Sequence, residues 1–85
     1  MMVRVLYFAW LRERAGRAEE QVTLPDDVDT VGELVGWLRG RDVAGKAAFQ
    51  NAGVVRAAVN QAFATPDTPI AAGDEVAFFP PVTGG

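Results

Sequence analysis

Hydrophobic residues alternate from the first positions of the chain. Val3, Val5, Tyr7 and Ala9 interleave with Arg4, Leu6 and Phe8. A period of two in β-branched and aromatic residues predicts a strand, with the first set on one face and the second on the other. Both faces are largely apolar, so one covers a core and the other is free to meet a partner. Residues 10–16 read as a short helical turn stopped by Gly16. Residues 20–24 alternate again, with Val22 and Leu24 inward, and Pro25 ends that strand.

The period then changes. Thr30 and Glu33 have the spacing of a capping box, in which the threonine hydroxyl serves the helix start and the glutamate reaches back. Asp26, Asp27 and Asp29 before it suit the positive end of a helix. Val31, Leu34, Val35 and Leu38 recur at helical spacing, and Gly40 marks the expected stop. Residues 45–51 suggest a second short helix around Phe49, ended by Gly53. Residues 54–59 are a strand by composition, Asn60-Gln61 a turn, and 62–64 a short strand. In the last strand, 75–79, Val76 and Phe78 share one face; Glu75, Ala77 and Phe79 share the other. Two strands, one main helix and then three strands predict an α+β fold, with that helix packed on one face of a mixed sheet. The first and last strands then lie parallel and adjacent through a right-handed crossover. This is the β-grasp, or ubiquitin-like, arrangement.

Composition narrows the chemistry. The 85 residues suffice for one domain. The chain has no cysteine and no histidine, and serine is absent as well. Triads built on Ser–His or Cys–His are therefore impossible within it, and a thiolate metal site is excluded. The net charge of −3 argues against nucleic acid as a partner. Arg12, Arg14 and Arg17 are flanked by Glu13, Glu19 and Glu20, which reads as a solvated mixed-sign surface. No apolar run approaches the length that spans a bilayer, and a strand pattern begins directly at the amino terminus; no membrane partner and a cytoplasmic location are the expectation.

The chain ends Phe79-Pro80-Pro81-Val82-Thr83-Gly84-Gly85. The prolines fix φ and remove backbone donors, which stiffens the exit from the last strand. Glycine allows close backbone approach to another surface. Residues 1–80 are thus expected to form the β-grasp domain and residues 81–85 an extended tail whose reactive group is the Gly85 carboxylate.

Residues 73–85, with their Phe-Phe-Pro-Pro-Val-Thr-Gly-Gly string, closely resemble the carboxy terminus of the MoaD family, the small subunits of molybdopterin synthase. Residues 5–9 followed by Leu11-Arg12-Glu13 resemble that family's start, and residues 57–61 its middle strand and turn. The resemblance implies a sulfur carrier. In that family an ATP-dependent, E1-like activating enzyme of the MoeB type adenylates the terminal glycine, here Gly85. A sulfur-donor protein then supplies the sulfur of a terminal thiocarboxylate, with no permanently bound cofactor. A MoaE-like large subunit, which supplies the catalytic residues of a heterotetrameric synthase, receives the tail. Sulfur passes to cyclic pyranopterin monophosphate to build molybdopterin. Gly84, Thr83, Val82 and Pro81 would thread the partner's channel.

Docking needs a surface. Leu6, Phe8 and Phe79 fall opposite the predicted core face, and Phe63 is expected to join them in an apolar patch beside the tail's exit. Trp10 and Trp37 are expected at the core or its edge. Three alternatives share the pattern: a carrier for thiamine or tRNA thiolation, a ubiquitin-like protein modifier, and a plain β-grasp binding module.

Overall fold

The computed structural model describes residues 1–81. Its elements are strand β1 (Met2–Tyr7), helix α1 (Trp10–Ala15), β2 (Glu19–Thr23), α2 (Val31–Arg41), α3 (Val43–Ala48), a 3-10 turn (Ala52–Val54), β3 (Arg56–Val59), β4 (Ala62–Ala64) and β5 (Glu75–Phe79). The five strands form one sheet in the order β2-β1-β5-β3-β4. β1 and β5 are parallel, and every other pairing is antiparallel. The α+β, β-grasp expectation holds, including the parallel contact of the first and last strands.

The alternation in β1 does what its pattern predicts. Val3, Val5 and Tyr7 are buried; Arg4 and Phe8 are exposed. Val22 and Leu24 point inward, as do Val76 and Phe78. α2 lays Val31, Leu34 and Leu38 on these residues, with Val35 at the margin. At the centre, the Phe49 and Phe78 rings meet edge to face at 5.0 Å. Both are fully buried, and each such side chain contributes roughly 1.5–3 kcal/mol by leaving water. Trp10 and Trp37 lie half-buried at the core edge, where Arg14 and Arg41 stack over their respective rings.

The start of α2 is a modified capping box. The Thr30 hydroxyl accepts from the Glu33 N–H at 3.2 Å. The Glu33 carboxylate reaches one residue further back than the usual box, accepting from the Asp29 N–H at 3.0 Å and from the Thr30 hydroxyl at 3.2 Å.

Several boundaries differ from the sequence expectation. Ala9 is not on the core face: it is an exposed turn residue with φ 55°, because the chain has already left the strand for α1. Gly40 does not end α2. The helix continues to Arg41 and stops at Asp42, whose extended backbone also opens α3 and whose carboxylate accepts from the Gly45 N–H at 2.7 Å. The second short helix therefore starts at Val43 and ends before Phe49. Gly53 sits inside the 3-10 turn, and that turn takes Val54, so β3 begins only at Arg56.

Gly45 marks the tightest point of the α2–α3 corner. A Cβ there would lie 1.9 Å from the Leu38 carbonyl oxygen. Only glycine fits the approach.

Candidate functional site

The helices cover one face of the sheet and leave the other open. Register places its outward residues in rows. Phe63 pairs with Ala58, Ala58 with Ala77, and Ala77 with Leu6. One row nearer the end of β5, Arg56 pairs with Phe79. Phe8 follows the last paired residue of β1, and its N–H donates to the Phe78 carbonyl at 3.0 Å.

Leu6, Phe8, Phe63 and Phe79 thus lie on one face of the sheet, with Leu6 and Phe63 at opposite ends of a row that crosses β1, β5, β3 and β4. The Phe63 and Phe79 rings are 6.0 Å apart. Phe63 is 86% exposed and Phe8 49%, far more than such side chains normally leave to water. Ala77 is nearly buried on this open face because Leu6 and Ala58 flank it and its own side chain is small. The adjoining row is polar: Arg4 forms an ion pair with Glu75, its register partner. The apolar surface therefore ends toward the start of β5 and continues to its finish.

That finish is where the tail leaves. Pro80 and Pro81 have no N–H to donate, so they cannot extend the ladder. Pro81, the first predicted threading residue, is half-buried just beyond β5. Val82, Thr83, Gly84 and Gly85 lie outside the described residues.

A cluster of interacting polar groups sits elsewhere. The Glu20 carboxylate accepts from the Tyr7 hydroxyl at 2.6 Å, from Arg41 Nη1 and Nη2 at 3.0 and 2.9 Å, and from Arg17 at 3.1 Å. Burial works to raise the Glu20 carboxyl, but the bonds from Arg41 and Tyr7 outweigh it and hold it below the usual glutamate range. Burial, then the Glu20 hydrogen bond and charge, push the Tyr7 phenol well up. The Tyr7 hydroxyl and both Arg41 terminal nitrogens are bonded to Glu20, and Tyr7 is almost sealed from water. The cluster fastens β1, β2 and α2 together and leaves no free acid or base. Sequence reasoning missed it, since Tyr7 looked like an ordinary core residue and Glu20 and Arg41 are 21 positions apart.

A groove of about 620 Å³ runs between α2 and β3–β4, lined by Val31, Val35, Val55, Ala57, Pro66 and Phe78 among others. Arg56 and Thr65 also line it, and among the described residues no carboxylate does. The described part of the molecule offers an open apolar sheet face and, at Pro80 and Pro81, an end to the β5 ladder.

A ubiquitin-like β-grasp domain with an open apolar sheet face defines the class. The sequence model of the ThiS family matches residues 5–85, and the chain belongs to that family. It is 42% identical to the molybdopterin synthase sulfur carrier subunit of Escherichia coli, over 99% of this chain and 100% of that protein. Among solved structures, small archaeal modifier protein 1 of Haloferax volcanii is 31% identical with a TM-score of 0.77, over 95% of this chain and 98% of the other. A chain of the complex of subunits 1 and 2 of the Helicobacter pylori molybdopterin-converting factor is 24% identical with a TM-score of 0.66, over the full length of both chains, a likeness of fold. Among the described residues no helix is long and apolar enough to cross a membrane.

Proposed function

We propose that this protein is the sulfur carrier subunit of a molybdopterin synthase. The observation that carries the reading is the match to the Escherichia coli sulfur carrier subunit over that protein's whole length. The geometry supports it, since the apolar sheet face lies beside the point where the chain leaves β5.

A terminal carboxylate is a poor electrophile: its charge repels nucleophiles, and it offers no good leaving group. An E1-like activating enzyme in the cytoplasm would join the Gly85 carboxylate to the AMP moiety of ATP, releasing pyrophosphate. Sulfur from a donor protein would then displace AMP and leave a thiocarboxylate. The large synthase subunit would take the tail, with Leu6, Phe8, Phe63 and Phe79 seated against it. The Helicobacter pylori protein that shares this fold was solved in a complex of subunits 1 and 2 of the molybdopterin-converting factor. Residues 81–85 reach about 16–18 Å when extended, at roughly 3.3–3.6 Å each, enough to enter a buried pocket from a docked domain. Two charged carriers per pterin would supply the two sulfurs of the dithiolene, consistent with a heterotetramer.

The Haloferax volcanii likeness favours a second reading, in which the same acyl-adenylate is attacked by a lysine amine and the protein becomes a modifier. One experiment separates the two. The thiocarboxylate form is mixed with its cognate large subunit and cyclic pyranopterin monophosphate. Molybdopterin forms if the carrier reading is right. No product, together with isopeptide-linked adducts when the activating enzyme and ATP are supplied, would favour the modifier.

A further inference from the structure

The outer face of the sheet carries two arginines, and they are treated differently. Arg4 stands opposite Glu75 in the β1–β5 ladder and is neutralised by it. In the β3–β5 ladder Arg56 stands opposite Phe79, whose side chain offers no charge. Among the described residues Arg56 takes part in no ion pair. Its guanidinium is nevertheless held: Nη1 donates to the Gly53 carbonyl at 3.2 Å, three residues back at the 3-10 turn. One of its donors is thereby used to orient the fork, and the others have no partner among the described residues. The Arg56 backbone lies level with Phe79, the last ladder residue before Pro80, and its guanidinium turns back toward Gly53, at the end of the sheet where β5 finishes.

We propose that Arg56 is the charged member of the docking face and receives a carboxylate from the large synthase subunit. The proposal rests on the carrier reading and adds the chemistry of the partner. A planar guanidinium takes a carboxylate through two parallel bonds, which a point charge cannot do. The neighbouring phenylalanines exclude water once the partner is seated, and a charge pair is stronger there than on an open surface. An unpaired arginine beside such a patch would be costly to cover, so the partner surface must supply an opposite charge. Arg56 thus selects an acidic site beside the mouth of the tail channel.

The test is calorimetric titration of the cognate large subunit with the parent protein and with Arg56→Leu, Arg56→Lys and Arg56→Glu, at several salt concentrations. Arg56 is exposed, so melting temperatures should agree among the variants. Arg56→Leu is expected to weaken binding by roughly tenfold and to flatten its salt dependence, Arg56→Glu to weaken it more, and Arg56→Lys to fall between Leu and parent. The order should persist when the carboxy terminus of every protein is an amide. Should it vanish on amidation, Arg56 serves the chain's own terminal carboxylate and the proposal fails. It fails also if Arg56→Leu and Arg56→Glu bind as tightly as the parent while Phe79→Asp does not. A parent protein that does not bind the large subunit at all would overturn the carrier reading itself.

Discussion

Arg41 grips the Glu20 carboxylate with both terminal nitrogens, at 3.0 and 2.9 Å, and so fastens the last turn of α2 to strand β2. Tyr7 adds a 2.6 Å bond from β1. The three residues are distant in sequence, and one carboxylate joins three elements.

This junction makes stability depend on pH at both ends. The Glu20 carboxyl is held below its ordinary range, so its contribution is complete above that range and is lost as pH falls through the folded value. The Tyr7 phenol is raised, so its contribution is complete below the ordinary tyrosine range and declines as pH climbs past it. Glu20→Gln should cost about 1–3 kcal/mol at neutral pH, because it leaves Arg41 and Tyr7 without a charged acceptor. Denaturant unfolding between pH 3 and 7 is the check. The gap between variant and parent should narrow toward acid, and a gap that stays constant would mean that the carboxylate's charge is not what stabilises the junction.

Two helix glycines should respond in opposite directions. Gly40→Ala adds a methyl in open space and should stabilise by roughly 0.5–1 kcal/mol. Gly45→Ala drives a Cβ into the Leu38 carbonyl and should destabilise by about 1–3 kcal/mol, a fall in melting temperature of several degrees or more for a domain this small. Equal melting temperatures for the two variants would show that the α2–α3 corner relaxes freely.

The β3–β4 turn offers a separate check. Asn60 and Gln61 have φ of 50° and 71°, the left-handed pair of a tight hairpin turn. Asn60 is anchored: its side chain donates to Asp74 and accepts from the Glu75 N–H, both at 3.0 Å. Among the described residues the Gln61 side chain makes no such bond, so Gln61→Gly should raise stability by roughly 0.5–1 kcal/mol. Asn60→Ala should lower it by about 1 kcal/mol or more. Reversed signs in thermal unfolding would mean a different turn.

Much of the fold was legible because its signals are local. Alternation in β1 and β5 separates Val5 and Phe78 from Phe8 and Phe79 without any knowledge of partners. The Thr30–Glu33 spacing marks the start of α2. What was not legible depends on contacts between distant residues. Gly40 looked like a helix stop, yet Asp42 ends α2 because its carboxylate caps α3. Gly45 looked like a helix start, and its need for glycine comes from Leu38. The Tyr7–Glu20–Arg41 junction has no sequence pattern at all. The apolar patch needed only the right strand neighbours, and the parallel β1–β5 contact supplied them.

The open face should behave as an interface. Phe8→Asp and Phe79→Asp each place a charge in a surface that the large subunit would dehydrate, at a cost of several kcal/mol. Both variants should bind that subunit at least tenfold more weakly in calorimetry. Phe8→Asp should keep the parent's melting temperature, since Phe8 is half exposed already. Undiminished affinity in both would show that the partner docks elsewhere.

A sulfur carrier of this kind must bear its sulfur on the Gly85 carboxylate. The direct measurement is the intact mass of the protein after incubation with its activating enzyme, ATP and a sulfur donor. Replacing oxygen by sulfur adds about 16 Da, and the gain must be mapped to the tail because oxidation of Met1 or Met2 adds the same. That gain is expected on the peptide ending in Gly85, dependent on ATP and abolished when Gly85 is deleted from an otherwise folded protein. An unchanged tail mass in the presence of active enzyme, ATP and donor would contradict the carrier reading.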